Sequence, residues 1–357
     1  MSCVGYRRCV PTKPLHVPIV DLDPWWGGAP AERSSVARSF DVAAAEIGFV
    51  QIVGHRVPSG VIDAMVEVTD RFFALPLESK LAVRPADLEV NRGYAAIGTE
   101  SLSYSIGQAA PPDLFEAFNM GEDAVDETDP FYAAERHRLF VENIWPTGVG
   151  GFRSALVEYF AAVRHVALTL TDVFALALDL PDRWFRTFVD RSTTTLRTIN
   201  YERRAGDREA LPGQQRMGAH TDYGVVTVLW ADGTPGLEVH HGGEWRAVAP
   251  EPNSLLVNLG DLTAEWTNDR WRSTLHRVVP PPGDGPSRRR STAFFFDGNW
   301  DARIECLPSC TDAANPPKYP PVIAGEHLMA KLMGPRTRRA SDAIDTAADR
   351  RGSTAHW

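Results

Sequence analysis

The chain has 357 residues, 43% of them hydrophobic and 23% charged, with a formal net charge of -9. That is enough chain for one large domain or two ordinary ones with a full core, and the acidic balance argues against a general nucleic-acid or anionic-membrane binder. Cys3, Cys9, Cys306 and Cys310 make no disulfide framework and residues 1–20 hold no apolar leader, so reduced thiols in a soluble cytoplasmic protein are expected.

In chain order, residues 1–16 read as a loose arm and Val17–Leu22 as a short strand ending at turn residues. Ser34–Ile47 is predicted helical with a serine cap, Gly48–Val53 a second strand, and Val57-Pro58-Ser59 the start of a helix running to Leu75. Residues 91–103 carry glycine and serine and read as a loop. Phe115–Met120 has strand character, and 121–130 is acidic without a period. From Phe152 to Leu180 apolar residues recur at steps of three and four, which predicts one long amphipathic scaffold helix. No run is expected to reach the ~20 apolar residues of a membrane span.

Beyond about 190 the pattern changes to short β-rich runs separated by turns: 194–201, 225–230, 236–240, 254–258, 275–279 and 291–296. Strands following a helical half imply an α+β chain with a barrel or double-sheet jelly roll carried on helices. The segments are 17–135 (helical N-terminal region), 136–190 (scaffold helices), 191–300 (the β domain) and 301–357 (C-terminal segment and polar tail). The tail from 334 reads as a solvated helix or frayed end.

The stretch Gly218–Leu229 reads G-A-H-T-D-Y-G-V-V-T-V-L. In extended backbone, His220 and Asp222 point to one side. His276, in another short β-rich run, is the expected third ligand. Two imidazoles and one carboxylate on one face of a metal form the facial triad of non-haem Fe(II) oxygenases.

On these residues the chain resembles the isopenicillin N synthase-like family of Fe(II)/2-oxoglutarate-dependent oxygenases. The likeness runs from about 17 to 330. Its N-terminal marks are Pro18–Leu22, Gly48-Phe49-Val50, Phe72–Pro76 and Arg92-Gly93-Tyr94. Its C-terminal marks are His220–Gly224, Asn258–Asp261, Trp266-Thr267-Asn268, Ser273–Val278 and Arg289-Arg290-Ser291. The resemblance implies a distorted double-stranded β-helix, opening at one end on the metal and flanked by helices. It also implies oxidative decarboxylation of 2-oxoglutarate to succinate, with O2 consumed and a substrate C–H oxidised. Related halogenating enzymes lack the carboxylate ligand, so the presence of Asp222 argues against halogenation.

The same resemblance places the distal carboxylate of 2-oxoglutarate on Arg289 and Ser291. They share a face, and a guanidinium fork suits a carboxylate. Arg290 is expected on the other side. Tyr201 and Asn200 are further candidates for 2-oxoglutarate, although if Tyr201 takes the family's tyrosine position Asn200 faces away. Substrate walls are expected from Tyr223, Leu229, Phe294 and Phe296 in the barrel and from Tyr94, Thr99 and Phe118 in the helical half. Arg197 and Arg277 are candidates for an acidic substrate or for structural ion pairs. The leading expectation is a hydroxylase or desaturase of a small molecule in specialised metabolism, without nucleic-acid or membrane partners, monomeric or weakly oligomeric. The alternatives are an iron oxidase that closes rings without 2-oxoglutarate and a non-catalytic iron or small-molecule binder.

Overall fold

A computed structural model describes residues 14–87, 90–204, 207, 210–281 and 287–332. Most of the expected N-terminal arm, Cys3, Cys9, most of the 280–286 turn and the tail from 334 lie outside the described residues.

The N-terminal half supplies β1 (Ile19–Asp21), β2 (Phe49–Val53), β3 (Gly93–Ala95) and β4 (Glu116–Met120). The C-terminal half supplies β5 (Thr195–Asn200), β6 (Met217–His220), β7 (Val226–Ala231), β8 (Leu237–His241), β9 (Glu244–Ala247), β10 (Leu255–Leu259), β11 (His276–Val278) and β12 (Arg290–Phe296). A short pair, β13 (Arg303–Ile304) and β14 (Val322–Ile323), follows. The helices are α1 (Asp23–Gly27), α2 (Pro30–Glu46), α3 (Ser59–Phe73), α4 (Leu77–Leu81), α5 (Pro130–Ala134), α6 (Phe152–Ala177), α7 (Arg186–Val189) and α8 (Asp261–Trp266), and residues 324–332 are also helical.

Eight strands form one sheet in the order β1-β2-β10-β7-β12-β5-β4-β3, and four form a second in the order β6-β11-β8-β9. The large sheet therefore draws strands from both halves of the chain. Its two faces have different partners, because alternate residues of each strand point opposite ways. On one face Leu196, Val228, Leu255, Val257, Phe294 and Phe296 join the main core with the helices. On the other, Phe49, Ile199, Tyr201 and Leu256 join Met217, Val239 and Val278 of the small sheet. The site lies inside this second layer. The architecture is a double-stranded β-helix flanked by helices.

The periodicity of α6 is realised as a buried stripe from Phe152 to Phe174, packed on α2, α3 and β12. By length and composition α6 is apolar enough to cross a membrane, contrary to expectation; here it is the central core helix. The expected serine cap of α2 is displaced. The helix begins at Pro30 after Ala29, with Glu32 closing back on the Ala29 N–H, while Ser34 lies inside it and donates to the Pro30 carbonyl 2.9 Å away. Proline at the first position suits a helix start because its missing N–H costs no hydrogen bond there. The loop expected over 91–103 contains β3, which pairs antiparallel with β4.

Candidate metal and cosubstrate site

The triad sits where the two sheets meet. His220 ends β6 and His276 begins β11, and the two are direct partners across the ladder, with ring centroids 4.3 Å apart. Asp222 lies just beyond β6, on the turn that carries the chain over to β7. His220 Nε2 is 3.7 Å and His276 Nε2 3.8 Å from Asp222 Oδ1. One donor atom from each residue lies within 4.8 Å of the others, and all three residues are buried.

The surroundings decide which atoms are free to bind. His220 Nδ1 is 2.8 Å from the Gly218 carbonyl and His276 Nδ1 is 3.0 Å from the Thr274 carbonyl. A carbonyl only accepts, so both rings carry their proton on Nδ1 and present the Nε2 lone pair inward. Burial, and then the neighbouring His276, hold the His220 pKa down at about 4, so that ring is neutral at pH 7. Asp222 is held in the same way. Its Oδ2 accepts from Asn258 Nδ2 at 2.6 Å and from the Thr227 hydroxyl, leaving Oδ1 for a metal. Burial alone would raise its pKa. The two histidines and those two hydrogen bonds outweigh burial and keep it below the usual carboxylate value. Such partners fix the orientation of metal ligands and tune their basicity.

The turn is packed as tightly as the ligands. A β-carbon on Gly224 would fall 1.5 Å from Asp297 Oδ1, and one on Gly260 would fall 2.2 Å from the Gly224 carbonyl oxygen. Asp261 N donates 2.8 Å to the Asp222 carbonyl. Asp113 ties the 3-10 turn Leu102–Ile106 to β6, accepting from Leu102 N and Gly218 N at 2.9 Å each.

Arg289 and Ser291 line the same pocket as the triad. Arg289 Nη1 donates 3.4 Å to Ser291 Oγ, and its guanidinium lies 5.1 Å from the Tyr201 ring centre. Arg290 points the other way, donating 2.8 Å to Asp70. Arg288 also pairs with Asp70 and is largely exposed. Tyr201 is a pocket wall, but Asn200 is not. Asn200 is on the opposite face of β5, where its Nδ2 donates 2.7 Å to Glu116 Oε1, so its expected part in binding 2-oxoglutarate is corrected.

The substrate walls need similar correction. Tyr223, Leu229 and Thr99 line the pocket. Phe294 and Phe296 do not; Phe294 packs edge-on against Phe160 of α6, 5.0 Å between centroids, and both are fully buried in the helical core. Strand alternation from Arg289 and Ser291 puts Ala293 and Phe295 inward instead, and Phe295 is the wall residue. Phe118, opposite Thr198 in the ladder, faces the helical core and packs edge-on against Phe152, 4.9 Å between centroids. Tyr94 is buried with its hydroxyl 2.6 Å from Glu116. Arg197 lines the pocket, whereas Arg277 pairs with Glu238 at 2.6 Å and lies over Trp245. Sequence reasoning missed Phe49, Asn258, Asp297, Leu328 and Leu332 as pocket residues. Strand parity could have found Asp297; Leu328 and Leu332 sit on the helical segment 324–332, which no local signal points at the site.

Two family models match the chain. Residues 17–148 match the N-terminal domain of non-haem dioxygenases in morphine synthesis, and residues 195–298 match the 2OG-Fe(II) oxygenase superfamily. A 2-oxoglutarate-Fe(II) type oxidoreductase of Emericella nidulans is 35% identical over 87% of each chain. The chain belongs to the 2-oxoglutarate-Fe(II) oxygenase superfamily. Validamycin A dioxygenase of Streptomyces hygroscopicus subsp. limoneus is 33% identical over 88% of this chain and 85% of its own. Among solved structures, a full-length Neurospora crassa protein in complex with alpha-KG and thymine superposes with a TM-score of 0.76 at 29% identity, covering 88% of this oxygenase and 96% of that chain. The enzyme is a 2-oxoglutarate-dependent dioxygenase of small molecules, and the alternatives of a 2-oxoglutarate-independent oxidase and a non-catalytic binder find no support among these relatives.

The donor set fits Fe(II): two imidazoles that present Nε2 inward and one carboxylate, with no further protein ligand in the cluster among the described residues. When bound, iron with 2-oxoglutarate and O2 couples decarboxylation of the cosubstrate to oxidation of a substrate C–H. The protein's own part is to orient the three ligands by their hydrogen bonds and to set apolar walls around the site.

Proposed function

We propose that this dioxygenase hydroxylates a compact, ring-bearing molecule that carries a hydrogen-bond acceptor, a carbonyl or carboxylate, directed at Arg197. The observation that carries this reading is the state of Arg197. It is buried in the pocket wall, its Nη2 donates 2.8 Å to Glu100, and its Nε has no partner among the described residues. A buried donor without an acceptor is costly, and a ligand acceptor offsets that cost. Tyr223 and Phe295 in the same pocket supply aromatic surface for a ring. The similar Neurospora crassa protein was crystallised with thymine, a planar ring with carbonyl acceptors, which supports the same class. His220, Asp222 and His276 are the iron ligands in this reading, and Arg289 with Ser291 receives the distal carboxylate of 2-oxoglutarate.

The test is substrate-dependent succinate release from the Fe(II) enzyme across a panel of planar heterocycles with carbonyl or carboxylate groups, set against aliphatic compounds without acceptors. Turnover is expected with members of the first set, and Arg197→Met is expected to raise their KM by about tenfold or more. Turnover confined to acceptor-free aliphatics, with Arg197→Met unchanged, would refute the reading.

A further inference from the structure

Beside the pocket lies a further buried guanidinium, outside its lining, that the chemistry above does not use. Arg216 is 3% exposed and directly precedes the pocket residue Met217. Its Nη2 donates 2.8 Å to Ser287 Oγ, and its Nη1 has no partner among the described residues.

The position of Ser287 makes this informative. Ser287 and Arg203 exchange backbone hydrogen bonds of 2.8 and 2.9 Å, and Tyr201 N donates 3.0 Å to the Arg289 carbonyl. The β5–β12 ladder thus continues beyond both strand ends, and in that extended run residues 287, 289 and 291 share one face. The hydroxyl that holds Arg216 is therefore next in the row to Arg289 and Ser291. Arg289 is 2% exposed, and its bonds are to the Thr234 carbonyl and Ser291 Oγ. Neither arginine forms an ion pair among the described residues. Burial, and then the nearby Arg289, push the Arg216 pKa down. Asp232 acts on Arg216 as a weaker opposing charge than Arg289 does, and two cations buried near each other with no carboxylate in contact disfavour the folded state unless an anion joins them.

We propose that Arg216 is a positioning residue for the distal carboxylate of 2-oxoglutarate, adding a second positive charge behind Arg289 and anchored there by Ser287. This rests on the assignment of Arg289 and Ser291 to that carboxylate. Arg216 strengthens binding of the cosubstrate by charge, and it discriminates a dicarboxylate from a 2-oxo acid that ends in a methyl group.

The experiment is an anaerobic titration of the Fe(II) enzyme, following the iron–2-oxo acid charge-transfer absorption, with 2-oxoglutarate and separately with 2-oxopentanoate, which lacks the distal carboxylate. Arg216→Gln is expected to weaken 2-oxoglutarate about tenfold, equivalent to about 1.4 kcal/mol, and to change 2-oxopentanoate less than twofold. Arg216→Lys, which keeps the charge, is expected to recover most of the loss. If Arg216→Gln does not fold, Ser287→Ala is expected to weaken 2-oxoglutarate alone, by about threefold. Equal weakening of both acids, or none for 2-oxoglutarate, would overturn the proposal. Wild-type enzyme that binds the two acids equally would instead sink the assignment of Arg289 and Ser291 on which it rests.

Discussion

Asp222 is the ligand most dependent on its neighbours, and removing its two donors probes the site most directly. Asn258 and Thr227 both donate to Oδ2, on the side away from the two histidines. In Asn258→Ala with Thr227→Val the carboxylate keeps its place in the chain but loses what fixes its rotation. A hydrogen bond to a charged group contributes ~1.5–3 kcal/mol, and loss of a partner that orients a metal ligand lowers metal affinity by about 10–100-fold. The two losses will not simply add, because both fall on one oxygen. The pKa of Asp222 will also rise, since both donors help hold it down against burial. A protonated Asp222 is a poor ligand, so the variant's affinity loss will grow as pH falls from 8 to 6. The assay is anaerobic Fe(II) binding against a colorimetric chelator at both pH values, with urea unfolding of the metal-free protein to confirm folding. Affinity within twofold of wild type at both pH values would refute the account of how Asp222 is oriented.

Three further outcomes follow from the same packing. Phe294→Ala removes a fully buried ring from the helical core and should cost ~3–5 kcal/mol of unfolding free energy, whereas Phe295→Ala should raise substrate KM with a smaller stability loss; urea melts and steady-state kinetics separate the two. Gly224→Ala places a methyl group 1.5 Å from Asp297 Oδ1 and should lower stability by ~1–3 kcal/mol and weaken Fe(II) binding, measured by thermal unfolding and the same chelator competition. Asp113 is pushed up to about 7, first by burial, despite two backbone donors. The folded state therefore holds a proton that the unfolded chain releases near pH 4, so this group's stabilising contribution is complete below that value and is lost as pH rises through 7; Asp113→Asn should remove that slope from unfolding free energies measured between pH 5 and 8.

Much of the site was legible in the residues because its signals are local. The donor types of His220, Asp222 and His276, and the shared face of Arg289 and Ser291, depend on side-chain chemistry and the two-residue period of extended backbone. The amphipathic repeat of α6 announced a core helix in the same way. The aromatic walls were only partly legible. Phe294 and Phe295 are equally apolar, and only the parity counted from Arg289 separates core from pocket. That parity was present in the sequence; its use required knowing that Arg289 faces inward.

Other features arise only when distant segments meet. Asn200 and Phe118 are aimed away from the pocket by the pairing of β4 with β5, which sets both strands' faces together. The grip on Asp222 requires β7 and β10 to lie side by side, with Asn258 opposite Thr227 across the ladder. Leu328 and Leu332 reach the pocket because residues 324–332 return to it, with Lys331 Nζ 2.7 Å from Asp261 Oδ2. Arg216 reads as an ordinary basic residue at a strand start until Ser287, 71 positions away, is brought beside it. Side-chain identity and local period can be read from neighbouring residues alone; orientation, burial and the partners of a charge are properties of the packed chain, set by contacts that no local window contains.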